Sequence, residues 1–368
     1  MYHYMCFISE KATFGWLSTV GWVGVDLFFV LSGYLIANQL FAGVVAGRTL
    51  SLKAFYLRRL LRTLPNYYVV LALYFLFPLV MPGKTPPPLW QFLTFTQNIL
   101  LQPGTAFSHA WSLCVEEQFY LVLPAAVLLA AHYGHKTGKS MRLAWVLLGA
   151  LVLAGMTLRT VLWLKYGRIA DGAISSYYPN VYYGTFCRGD EFLPGVAIAM
   201  LKNFHPAAWQ RLMARGRAVL VLAIISTVVL GYLLVTAYYI HGYGYGGFMS
   251  CAGYSLVAMC FGLWTVAALS PASGFSGLRV PGAAQLALWS YAIYLSHRPV
   301  TSVLAKLLVP YGIAPDSWTA VLLLALASVL CGYLLFRLVE TPFMRLRDRL
   351  APSNFERPAA APLAAQPS

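Results

Sequence analysis

The sequence predicts an all-α protein, a polytopic membrane helix bundle of about ten transmembrane helices. Three observations predict it. Of the 368 residues, 60% are hydrophobic and only 10% are charged, whereas a soluble domain carries about 25% charged residues. Mean hydropathy is +0.67. Apolar runs of about 20 residues recur along the chain, each long enough to cross a hydrocarbon core about 30 Å thick.

The chain opens in apolar sequence from Met1 to Ile8, without a basic leader or cleavage site, so it does not read as a signal peptide. It reads as the second half of a first helix. Further spans are expected near 20–41, 64–81, 110–131, 143–164, 188–202, 218–240, 249–269, 284–308 and 318–338. They are separated by a basic stretch at 48–62, a Pro-rich loop at 82–88, an aromatic loop from Ser175 to Tyr183 and a Gly/Tyr hairpin around His241 to Tyr245. Residues 1–349 form one transmembrane domain in this reading, and the Ala/Pro-rich tail 350–368 is expected to be disordered.

The net charge of +15 has a membrane explanation. Most Lys and Arg fall in alternate loops, at 48–62, 136–142, 202–217 and 337–357. That side is read as cytoplasmic, with the C-terminus on it, and no nucleic-acid partner is needed to account for the charge. The six cysteines lie in or beside apolar runs, with no CxxC and no Cys/His cluster. Neither a metal site nor a disulfide framework is expected.

Polar residues inside the spans carry the chemistry. From His109 to Pro124 an apolar helix holds two adjacent carboxylates, Glu116 and Glu117. A charged carboxylate near the bilayer centre costs roughly 2.5–3.5 kcal/mol on insertion scales, so it must face a bundle interior or a wet cavity. On a helix His109, Ser112, Glu116 and Tyr120 fall on one stripe. Either the acids are neutral or paired to an arginine on a neighbouring helix, or they orient substrate and transfer protons. Segment 53–64 is amphipathic, with Arg58, Arg59 and Arg62 opposite a leucine face. Those arginines would touch lipid head groups or grip a phosphorylated donor. His3 is a packing histidine or a general base. Asp26 shares a face with Gly33 and Ala37, where another helix can approach closely; it is a pairing acid or a catalytic one.

Several blocks together resemble the acyltransferase family 3 membrane proteins. Gly24-Val25-Asp26-Leu27-Phe28-Phe29 through Ile36 is similar to the family's second-helix signature. Arg58-Arg59-Leu60-Leu61-Arg62 with Pro65 resembles its arginine motif, and Trp111-Ser112-Leu113 through Glu116-Glu117-Gln118-Phe119-Tyr120 its WSLxxEExFY block. Arg188-Gly189-Asp190 with Gly195, Ser290 to Leu295 with His297, and Glu340 to Phe343 resemble later elements. The likeness covers about residues 1–345.

The resemblance implies a multi-pass enzyme of a bacterial inner membrane that moves an acyl group, acetyl first among candidates, from acyl-CoA to a hydroxyl. The acceptor would be a carbohydrate, a lipid-linked glycan or another envelope-directed molecule. His3 matches the family's catalytic first-helix His; the Arg that precedes it in the family would lie before Met1. His297 is followed by Arg298 where the family often has an aromatic residue. On this reading His3, Glu116 and Glu117 carry catalysis and Arg58, Arg59 and Arg62 hold the donor. Asp26, Ser112, Tyr120, Arg188, Asp190 and His297 support substrate or structure. Tyr177, Tyr178, Tyr182 and Tyr183 would stack on a sugar or form an interfacial belt. The competing class is a transporter or flippase of an envelope precursor, with the buried charges as a proton path; no internal repeat of the transporter kind is visible.

Overall fold

The structure is a computed structural model that describes residues 2–137, 140–168 and 173–355. The Lys136 side chain, Lys139 and the tail from 356, which enter the expected orientation and domain limits, lie outside the described residues.

The chain is helical almost throughout. Its main helices are α1 Gly24–Val45, α2 Leu52–Leu76, α3 Trp111–Thr137, α4 Ser140–Tyr166, α5 Leu193–Phe204, α6 Gly216–Ala237, α7 Tyr254–Leu269, α8 Ala283–Leu308, α9 Trp318–Leu335 and α10 Thr341–Leu350. Among the described residues the strands are a two-residue hairpin, Tyr239–Ile240 (β1) with Gly244–Tyr245 (β2), at the expected Gly/Tyr turn. Among the described residues, six helical stretches are long and apolar enough to cross a bilayer: Trp16–Val45, Ser108–Leu129, Met141–Tyr166, Gly216–Ala237, Met249–Leu269 and Trp318–Leu350. The chain is thus a multi-pass helical membrane protein, and six of the expected spans meet that standard.

The start and the third span differ from expectation. Residues Tyr2–Tyr4 form a helical turn that runs into a π-helical turn, Met5–Ser9. The amphipathic arginine segment and the third span are one helix, α2, running through Pro65. A proline inside a helix removes one backbone donor, and membrane helices tolerate this when neighbours bond the freed carbonyls. Near it, the Tyr291 hydroxyl donates to the Thr63 carbonyl at 2.7 Å. Ser51 caps α2 by accepting from the Ala54 amide at 3.3 Å.

Two glycines set the closest helix contact. A Cβ on Gly33 would lie 2.2 Å from the Phe192 carbonyl oxygen, and one on Gly195 would lie 2.1 Å from that of Val30. The backbones of α1 and α5 therefore meet directly, as expected from the face that Asp26 shares with Gly33 and Ala37. α8 and α9 form an antiparallel pair on the other side of the site. After α10 the chain folds back: the Ser51 amide donates to the Asn354 carbonyl at 2.9 Å. The Phe355 ring occupies the space beside Gly43.

Candidate functional site

A cavity of about 480 Å³ lies between the start of the chain, α1, α3, α8 and α9, and His3, Ser112, Tyr294 and His297 line it. The imidazoles of His3 and His297 are parallel, with centroids 5.0 Å apart. His3 Nδ1 is 2.7 Å from His297 Nε2, and His297 Nδ1 is 2.7 Å from the Tyr294 carbonyl oxygen. A carbonyl only accepts, so His297 Nδ1 carries the proton and its Nε2 holds a lone pair. That lone pair accepts from His3 Nδ1–H, leaving the lone pair of His3 on Nε2. No hydrogen bond among the described residues uses that atom. The arrangement follows the logic of a catalytic triad, in which a second group fixes the tautomer of the base.

His109 stands edge-on to both rings, 6.2 Å from His3 and 5.4 Å from His297. Its Nε2 lies 3.2 Å from the Leu295 carbonyl and donates to it, and its buried Nδ1 has no partner among the described residues. One helical step along, Ser112 bonds the Tyr294 hydroxyl at 2.7 Å. That hydroxyl in turn donates to the His109 carbonyl. The polar stripe of α3 thus meets α8 at this end.

One turn further, about 6 Å along the axis, the same stripe meets α1 and α2. Glu116 accepts from Ser32 Oγ at 2.9 Å and from the Tyr120 hydroxyl. It lies 3.7 Å from an Arg59 nitrogen, and the Arg59 guanidinium sits 3.7 Å above the Tyr120 ring. For Glu116 the structure therefore shows the pairing with a neighbouring arginine. Glu117 is half-buried and faces Arg59 and Thr63.

The three motif arginines do not form one cluster. Arg59 turns inward to Glu116. Arg58 donates to the Ala351 carbonyl at 2.5 Å and lies 3.7 Å from Asp348. Arg62 is exposed and within electrostatic reach of Glu116 and Glu340. Arg58 and Arg48 also line a second cavity of about 510 Å³ under the returning 352–355 segment. Among the described residues no group of His, Cys, Asp or Glu could hold a metal ion.

Asp26, Arg188 and Asp190 belong to a separate buried ion cluster. Arg188 reaches Asp26 at 3.2 Å and pairs with Glu191. Its guanidinium lies 4.3 Å over Tyr254, 4.9 Å over Tyr182 and 5.1 Å over Trp111. Asp190 pairs instead with Arg159, through bonds of 2.6 and 2.9 Å. Sequence reasoning missed Arg159 and Glu191. Their signals were present: a lone arginine in the apolar run 143–164, and an acid beside Asp190. It noted Arg298 only as a departure, although that side chain is 2% exposed.

The aromatic loop is corrected. Tyr177, Tyr182 and Tyr183 are buried, with Tyr177 stacked on Tyr245 at 3.7 Å. Of these rings Tyr182 lies against the Arg188 guanidinium, while the Tyr177 hydroxyl bonds that of Tyr254 at 3.0 Å and Tyr183 packs on Trp111. As buried rings these three do not form an interfacial belt, and Tyr182 also lines the His3 cavity.

A family model described as an acyltransferase domain matches residues 2–337. The chain is 30% identical over 364 residues to the peptidoglycan O-acetyltransferase OatA of Listeria monocytogenes, covering 92% of this chain and 53% of that protein. It is 26% identical to the putative peptidoglycan O-acetyltransferase YrhL of Bacillus subtilis, covering 91% and 52%. With the O-acetyltransferase OatA of Staphylococcus aureus it shares 24% identity, covering 90% and 53%. The chain thus spans about half the length of these curated relatives. No solved structure matches it.

Proposed function

The chain belongs to the acyltransferase 3 family, and from that premise we propose that it is a membrane O-acyltransferase. It moves an acyl group, acetyl first, from acyl-CoA to a hydroxyl of a cell-envelope carbohydrate. The names of the relatives favour a peptidoglycan-type glycan. The bundle sits in a bacterial cytoplasmic membrane, with the Arg58 end and the C-terminus in the cytoplasm. The donor phosphates meet Arg58 and Arg62 there, while Arg59 and Glu116 form a strut between that end and the His cavity.

The observation that carries this reading is the His3–His297 pair at the cavity wall, with the His3 Nε2 lone pair left free. In the transfer the acceptor oxygen attacks the thioester carbonyl carbon, and His3 Nε2 takes the hydroxyl proton. The carbon–sulfur bond breaks, and the imidazolium returns its proton to the thiolate. His297 holds the ring and shares the charge.

The test is acetyl transfer by purified protein from radiolabelled acetyl-CoA to a glycan acceptor. His3→Ala lowers turnover by about 10²–10⁴-fold, and Arg58→Ala raises KM for the donor. Turnover that persists in His3→Ala overturns the assignment of the base. No consumption of acyl-CoA by the wild type overturns the enzyme reading.

A further inference from the structure

Arg298 follows His297 on α8 and is 2% exposed. Its NH1 donates to Ser108 Oγ at 2.8 Å, with a longer contact of 3.4 Å to the Thr105 carbonyl. Its Nε is buried without a partner among the described residues, and its guanidinium carbon lies 4.1 Å over the Phe7 ring. A buried guanidinium is ordinarily paired with a carboxylate, as Arg188 and Arg159 are. Among the described residues Arg298 makes no ion pair. The titratable groups turned toward it are Tyr74 from α2, Tyr183, Cys6 and the three histidines His3, His109 and His297; none is an acid. Its charge is therefore unneutralised among the described residues, and it stands beside the imidazoles: it follows His297 on α8, its partner Ser108 precedes His109, and the Phe7 ring under it lies 5.7 Å from the His3 ring.

We propose that Arg298 is a positioning residue for acyl transfer: its uncompensated positive charge opposes protonation of the His3–His297 pair and so keeps the His3 Nε2 lone pair available. The inference rests on His3 serving as the base in the reading above. An added proton on the pair would place a second cation beside the guanidinium with no anion between them. The cost of the unpaired charge is thereby turned to use, since it holds the relay in the neutral tautomers that the hydrogen bonds define. Ser108 is the point at which the effect can be cancelled, because a carboxylate there would sit within reach of NH1.

The experiment follows the imidazole NMR signal of His3 against pH in purified full-length protein, the signal being assigned by its loss in His3→Gln. R298K keeps the wild-type midpoint. R298M raises the midpoint by about one pH unit. S108D, which supplies the missing anion and removes no charge from the core, raises it as well. S108D also decides the matter if R298M does not fold. An unchanged midpoint in folded R298M, or in S108D, overturns the proposal. Because this readout needs no turnover, a wild type that transfers no acetyl group while the midpoints shift as expected overturns the transferase reading separately.

Discussion

Two polar regions lie buried in the same bundle and use charge in opposite ways. Around Arg188 and Arg159, three carboxylates face two guanidinium groups at bonding distance, and aromatic rings close over them. Around His3, neutral rings stack beside an open cavity, and the nearest guanidinium lacks an acid. In the first region Asp26 Oδ2 is the one carboxylate oxygen without a partner among the described residues, and the ion pairs tie together α1, α4 and the segment before α5. The second keeps lone pairs unspent, which is what chemistry on a bound molecule requires. Burial alone does not separate a structural polar group from a reactive one; the completeness of its partners does.

Removing a charge from the closed region should produce the largest loss of stability. Arg188→Met strands Asp26 and Glu191 together and is expected to cost about 3–5 kcal/mol, read as a fall in melting temperature in detergent. His3→Ala loses one hydrogen bond, about 1 kcal/mol, while abolishing most turnover. Equal destabilisation by the two would erase the distinction drawn here.

Next in size is the helix contact that both regions share. Gly33→Ala drives a methyl group into the Phe192 carbonyl and is expected to cost about 1–3 kcal/mol. Gly231→Ala in α6 meets nothing within 4 Å and should stabilise by a few tenths up to about 1 kcal/mol. A tolerated Gly33→Ala, scored by the same melting assay, would mean that α1 and α5 can part without cost.

The smallest effect lies at the surface. Lys11 Nζ sits 2.6 Å from Asp316, and this hydrogen bond holds the Asp316 carboxyl below its ordinary range and the Lys11 ammonium above its own. The acid side of the pair contributes stability above about pH 4, and that contribution is lost as pH falls through the lower folded value. Lys11→Met should therefore lower the melting temperature only slightly near neutrality, with the difference fading in acid. A gap that widens on acidification would contradict the pairing.

Much of this could be read before any coordinates. Six of the expected span positions followed from runs of apolar residues, and the His109–Tyr120 stripe followed from helical period. The Gly33 face predicted a close approach, which Phe192 and Gly195 supply. What periodicity could not give was partner choice across the bundle. Arg188 and Asp190 lie two residues apart, yet each bonds a different helix, because a side chain two positions on points to another face. Likewise the arginine motif looked like one arc, but helix packing turns Arg59 inward and leaves Arg58 to the 348–351 segment. The pairing of His3 with His297 joins opposite ends of the chain, and no local pattern encodes it. The aromatic loop misled because tyrosines at a loop read as surface groups, whereas Tyr177, Tyr182 and Tyr183 are buried, Tyr182 against the Arg188 guanidinium.

The backbone contact at Gly33 and Gly195 has a mechanical consequence. With no side chain between them to compress, α5 backs α1 as a fixed jaw along one wall of the His3 cavity. Any widening to admit a bulky guest must then be taken up by the α8–α9 pair opposite. The start of the chain and the segment before α9 meet through Lys11–Asp316, the Tyr4 hydroxyl on the Pro315 carbonyl and the edge-on rings of Phe14 and Trp318. On the side of Tyr4 and Phe14, which line the cavity, the two walls are thus joined by an exposed ion pair, one hydrogen bond and a ring contact, and not by backbone packing.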